Sequence, residues 1–130
     1  MSVKFSSGVH VDPYRKVGYI DGPDGHLVWR TGTGDNVEVL HLRALSPGQG
    51  GGTRMLREML SRLRTDPPYA TVFGFTRITN HDARRFYLNS GFTLTEVPGV
   101  YAEGAAVLFT ARYDYLLGFH GLKDNHDKVL

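Results

Sequence analysis

"SPGQGGGTRML" occupies residues 46–56 and packs Gly48, Gly50, Gly51 and Gly52 into five positions, just ahead of a run with helical spacing. Glycine loses more backbone freedom on folding than any other residue, so the cluster needs a reason. A flexible linker, a phosphate cradle and a tight turn without chemistry are the three candidates. The flanks decide what kind of connection it is. Upstream, "VEVLHLRAL" (37–45) is mostly apolar and reads as a central strand. Downstream, "TRMLREMLSRLR" (53–64) places Met55, Leu56, Met59, Leu60 and Leu63 on one helical face. Arg54, Arg57, Glu58, Ser61, Arg62 and Arg64 fall mostly on the other face, and Asp66-Pro67-Pro68 stops the helix. A stretch this short between the best strand and the best helix of the chain is a structural connection, not a linker.

Spacing tests the two familiar phosphate motifs. A P-loop needs GxxxxGK[ST], and residues 44–64 contain no lysine. A dinucleotide fingerprint needs GxGxxG, but counting from Gly48 ends on Thr53 and counting from Gly50 ends on Met55. The physics still suits an anion. A helix entered through glycines has unpaired N–H groups in its first turn, and no side chain keeps a ligand from the backbone. On these residues alone, cradle and plain turn both remain open.

The rest of the chain supplies a sheet. "VKFSSGVHV" (3–11) reads as a weak strand or two short ones. "KVGYIDGPDGHLVWRT" (16–31) reads as a hairpin around Asp21–Gly25 with a loop longer than two residues, and "TGTGDN" (31–36) as a turn. "YATVFGF" (69–75) is a second buried strand, joined to the first by a right-handed crossover. A short helix follows, with Asn80 as its cap, Asp82 in its first turn and Gly91 at its end. Ala83, Phe86, Tyr87 and Ser90 share one face of it. "FTLTEV" (92–97), a turn at Pro98-Gly99 and "AAVLFTARYDY" (105–115) read as the last strands. The expected domain is 1–117, with 118–130 a loose polar tail.

Composition bounds the function. The 130 residues suit one domain of ordinary globular usage. Without cysteine, disulfides, thiolate metal sites and a cysteine nucleophile are excluded. No stretch has the length of a membrane span and the start lacks the apolar core of a signal peptide, so the expectation is a cytoplasmic protein. The six histidines show no HxxxH or HExxH spacing, and no metal is expected. A net charge of +2 gives little support to nucleic-acid binding through the arginines of 53–64, which read as a solvated face.

A second segment gives the glycines a context. "NHDARRFYLNSGF" (80–92) carries Asn80, Ala83, Phe86, Tyr87, Gly91 and Phe92. With Leu40, Leu42, Ala44 and Pro47–Gly52 before it, the chain resembles the GNAT superfamily of acyl-CoA-dependent N-acetyltransferases. That family reads roughly LxVxPxxRGxGIG and then NxxAxxFYxxxGF, and the resemblance covers about residues 36–113. It implies a single-domain α/β fold, a mixed and mostly antiparallel sheet flanked by helices. It implies acetyl-CoA as cosubstrate, its pyrophosphate on Gly48, Gln49, Gly50, Gly51, Gly52 and Thr53, and its acetyl and pantetheine parts near Leu42. It implies Asn80 against the cofactor arm, although a plain helix cap explains that residue as well. It implies Tyr87 as the general acid for the leaving thiolate, with core packing beside Phe86 as the alternative.

Departures from the pattern are informative. The Arg or Gln that opens the family's loop is Pro47 here, leaving Arg43 or Arg54 to supply cationic reach, with Arg57 close by. Gly51 stands where a bulky residue is usual. The next strand offers Phe73, Phe75 and Thr76 but no carboxylate, so the general-base candidates are Glu38 and His41 on the central strand, or a water. Only about 36 residues precede that strand, with no convincing helix among them, which predicts a shortened N-terminal part and an open acceptor groove. The leading expectation is direct acetyl transfer to a primary amine, of a small molecule or a protein surface, through a ternary complex. A degenerate GNAT fold that binds or inhibits a partner protein is the alternative. The exposed front and "YDYLLGF" (113–119) are candidates for a homodimer contact.

Overall fold

The glycine-rich stretch joins a strand to a helix, as its flanks predict: β4 (Asn36–Ala44) leads into α1 (Gly51–Arg62). The computed structural model describes residues 8–12, 16–101 and 104–123. Before β4 come β1 (Gly8–Asp12), β2 (Val17–Gly22) and β3 (Gly25–Thr33). After α1 come β5 (Thr71–Arg77), α2 (His81–Asn89), β6 (Thr93–Tyr101), β7 (Gly104–Arg112) and α3 (Tyr113–Phe119). The strands form one seven-stranded sheet in the order β1-β2-β3-β4-β5-β7-β6. Among the described strands only β4 and β5 pair in parallel, with α1 as the crossover between them; the other neighbours are antiparallel. Among the described residues no helix precedes β4, as the short front predicts.

The three described helices share one core. Met55, Leu56, Met59 and Leu60 of α1 are buried with Leu27 and Trp29 of β3, Val37 and Val39 of β4, and Val72 of β5. Tyr87, Phe92, Phe109, Tyr113 and Leu116 belong to the same cluster. Burying each large apolar side chain contributes about 1.5–3 kcal/mol, so this face supplies the main driving force for folding. The α1 arginines are exposed, as a solvated face predicts, and they also hold protein partners. Arg57 donates to the His120 carbonyl and Arg64 to the Leu122 carbonyl, while Arg54 pairs with Asp24 and Arg62 with Glu58. Tyr113 also donates to the Leu60 carbonyl at 2.7 Å, tying α3 to α1.

The structure corrects several boundaries. The β2–β3 loop is only Pro23-Asp24, because Gly22 and Gly25 pair with each other across the hairpin. Helix α1 starts two residues earlier than the 53–64 run, so Gly51 and Gly52 lie in its buried first turn. Pro98-Gly99 does not turn the chain: it sits inside β6, in a register irregularity between Val97 and Tyr101. Residues 113–115, expected as strand, begin α3, since Tyr113 and Leu116 lie one helical turn apart and both reach the core. Packing continues past 117. His120 is buried, and its Nε2 lies 2.9 Å from the Ser90 carbonyl. Burial keeps its pKa below the ordinary value, so the neutral ring donates to that carbonyl. The proposed weak strand 3–11 is seen only as β1; residues 3–7 lie outside the described residues, as do 124–130 of the expected tail.

Gly74 marks where β4 and β5 part. A Cβ there would lie 2.3 Å from Phe109 Cζ and 2.7 Å from the Val39 carbonyl oxygen. Gly74→Ala therefore overpacks this contact and destabilises the fold by about 1–3 kcal/mol, read as a lower denaturation midpoint.

Candidate active site

Register creates the site. β4 pairs with β5 from Asn36–Thr71 to Val39–Gly74 and no further. Beyond that point β5 continues beside β7 to Arg77, while β4 runs on beside β3 to Ala44. The two central strands splay, and alternate backbone groups of 40–44 lose their partner on the β5 side. A β-bulge accompanies the splay: Val28 pairs with His41 and Trp29 with Val39, which leaves Leu40 as the extra residue. A bulge bends its strand and resets the alternation of side chains. Glu38 and His41, three residues apart, would otherwise face opposite sides of the sheet. Their cross-strand partners Arg30 and Val28 place both on the face away from α1, together with Arg43 opposite His26. Leu42, opposite Leu27, points to the α1 side and reaches the first turn of that helix at Gly52.

A notch of about 230 Å³ fills the splay. Val39, Leu40, His41 and Leu42 form one wall, and Phe75, Thr76 and Arg77 the other. Asn80, Ala83 and Tyr87 of the α2 segment close it from the helix side, over Phe109. His41, Leu42, Asn80 and Tyr87 are thus brought together. Glu38 and Arg43 are not among the lining residues, and the Glu38 carboxylate is taken by Arg30.

Tyr87 is 5 % exposed, its ring stacked on Phe109 at 3.6 Å and 8°. Phe86 and Phe92 meet it edge-on. Among the described residues no group hydrogen-bonds its hydroxyl, yet no buried polar side-chain atom there lacks a partner. The hydroxyl is therefore open to the notch. Burial pushes its pKa above the ordinary phenol value, so it stays protonated across the neutral range.

Asn80 caps α2: its Oδ1 accepts from the Ala83 N–H at 3.1 Å. It also lines the notch, so both roles proposed for it are geometrically compatible. Asn80→Ala destabilises the fold by about 1 kcal/mol through the lost cap. Thermal melting measures that loss, and a parallel acetyl-CoA titration of the folded variant reads any ligand contact separately.

At the open end of β4 the chain turns through 45–50 into α1. Gly50 is the helix cap at φ 81°, the left-handed region, and no side chain caps the helix. Arg54 N–H closes the first helical bond onto the Gly50 carbonyl. Among the described contacts, no backbone carbonyl accepts from the N–H groups of Gly50, Gly51, Gly52 or Thr53. The Gln49 N–H instead donates to the Ser46 carbonyl at 3.2 Å, so the run of free donors is narrower than 48–53. Gly51 and Gly52 are glycine for space: their absent Cβ atoms would lie 3.0 Å from the Asp24 carbonyl oxygen and from Phe86 Cε1.

The hairpin tip thus reaches this mouth, which the sequence does not signal. Asp24 accepts Leu45 N–H on its backbone and holds Arg54 through its carboxylate. Arg57, offered above as cationic reach, is committed to the His120 carbonyl. Among the described residues no group of three or more His, Asp or Glu side chains could hold a metal ion. No helix there is long and apolar enough to cross a membrane.

No family model matches the sequence, and no curated protein does either. Solved structures match strongly in shape. Ard1 from Thermoplasma volcanium is 22% identical with a TM-score of 0.57, covering 67% of this chain and 61% of its own. Arabidopsis thaliana NAA60 with a bisubstrate analogue is 16% identical with a TM-score of 0.62, covering 75% of each chain. A protein described as a GNAT-family acetyltransferase, from Desulfovibrio desulfuricans, is 17% identical with a TM-score of 0.60, covering 75% of this chain and 68% of its own. The chain thus spans less than two thirds of the length of the Thermoplasma protein. The splayed parallel pair, the glycine-led helix and the sheet order around them give this chain the GNAT fold, the fold its two sequence segments resemble.

Proposed function

We propose that the protein is an N-acetyltransferase that moves an acetyl group from acetyl-CoA directly to a primary amine within a ternary complex. The observation that carries this reading is a conjunction: unpaired N–H groups at Gly50–Thr53 lie at the end of the same strand whose splay opens the notch holding the Tyr87 hydroxyl. Donors at a helix N-terminus suit a pyrophosphate. Backbone groups of 40–44 without a strand partner suit the thioester carbonyl and pantetheine amides. An N–H aimed at that carbonyl oxygen stabilises the charge that forms as the amine attacks. The new C–N bond forms at the carbonyl carbon and the C–S bond breaks. Tyr87 then donates its proton to the departing thiolate. The amine loses its own proton to His41 at the notch or to a water; Glu38, held by Arg30, is the weaker candidate.

The notch is lined from both sheet faces, Tyr87 and Leu42 on the helix side and His41 and Phe75 on the other. The amine therefore enters from the face that no described helix covers. An open face of this kind suits an amine on a peptide or protein surface.

Purified protein incubated with acetyl-CoA and a panel of amines and peptides should release free CoA thiol with at least one acceptor. Absence of acetyl-CoA binding at millimolar concentration contradicts the reading.

A further inference from the structure

Pro47 offers neither a charge nor an N–H at the entrance of the glycine turn, and Arg54 brings a cation to that turn. Its guanidinium lies over the glycine turn. Nη2 donates to Asp24 Oδ1 at 2.9 Å, and Nε lies 3.1 Å from Oδ2. The remaining nitrogen, Nη1, has no described partner and faces Gly50, where a Cβ would lie 3.0 Å from it. Asp24 itself is fixed: its carbonyl accepts Leu45 N–H at 3.0 Å and packs against Gly51. A two-toothed grip of this kind sets the plane of a guanidinium as well as its position.

We infer that Asp24 is a positioning residue: it holds Arg54 so that Nη1 faces the free N–H groups of Gly50–Thr53 and meets a phosphate of acetyl-CoA. The inference rests on the acyl-CoA reading above and adds a residue pair that the GNAT-like motifs do not contain. A carboxylate beside an anion site should repel the anion, so removing its charge should tighten binding unless that charge holds the cation that binds.

The test titrates acetyl-CoA into wild type, Asp24→Asn, Arg54→Gln and the double variant, with circular dichroism confirming the fold. Asp24→Asn and Arg54→Gln should each weaken binding about tenfold, and the double variant should be no weaker than Arg54→Gln alone. KM for acetyl-CoA should rise in step, with kcat at saturation unchanged, a split that a general loss of stability does not produce. S-acetylpantetheine, which lacks the phosphates, should turn over equally with all four proteins. Equal or tighter acetyl-CoA binding by Asp24→Asn overturns this inference alone. Failure of the wild type to bind acetyl-CoA overturns it together with the function on which it rests.

Discussion

Tyr87→Phe should lower kcat by about 10²–10⁴-fold, the usual contribution of a positioned general acid, with KM for acetyl-CoA unchanged. The substitution removes one oxygen and keeps the ring. The stack on Phe109 and the edge contacts with Phe86 and Phe92 survive, and among the described residues no hydrogen bond to the hydroxyl is lost. Stability should therefore change little, which separates chemistry from packing. Steady-state kinetics and a denaturation curve measured on the same preparation check both halves. The pH profile adds a second readout. Burial raises the Tyr87 pKa, so the wild-type rate should show no loss of this acid up to the ordinary phenol range near ~10. A wild-type rate retained by Tyr87→Phe would return Tyr87 to a core aromatic and favour a binding protein over an enzyme.

Gly50→Glu should reduce acetyl-CoA affinity at least a hundredfold. Gly50 has φ 81°, where a residue with a Cβ costs about 1–2 kcal/mol. That strain alone lowers stability modestly. The larger effect is on the anion site, because the introduced carboxylate lies where N–H groups await a ligand and competes for them and for Arg54. The variant should be folded, slightly less stable and unable to bind acetyl-CoA. Isothermal titration beside a melting curve measures the two effects independently. Undiminished affinity in the folded variant would remove the cradle from the account.

The sequence exposed the parts of this site that depend on local chemistry. The period of "TRMLREMLSRLR" gave α1, Asn80 and Gly91 bracketed α2, and the paired segments indicated the fold. What it hid depends on pairing between distant residues. The bulge at Leu40 puts Glu38 and His41 on one face, and simple alternation along the strand predicts the opposite. Nothing in "DGPDGH" (21–26) indicates that a two-residue turn carries Asp24 to the mouth of α1. The arginines of α1 form the exposed face that the period predicts, but the partners of Arg54, Arg57 and Arg64 lie far away in sequence, at Asp24, His120 and Leu122. Helix α3 reads in sequence as the end of a strand because Tyr113 and Leu116 mark only a single turn.

The free donors at the start of α1 and the unpaired end of β4 should together form one acetyl-CoA site. Amide resonances of ¹⁵N-labelled protein, followed as acetyl-CoA is added, test this directly. The largest shifts should fall on Gly50, Gly51, Gly52 and Thr53, with a second group at Leu40–Leu42. Saturation with acetyl-CoA that leaves those amides unmoved, or shifts confined to other parts of the sheet, would contradict it.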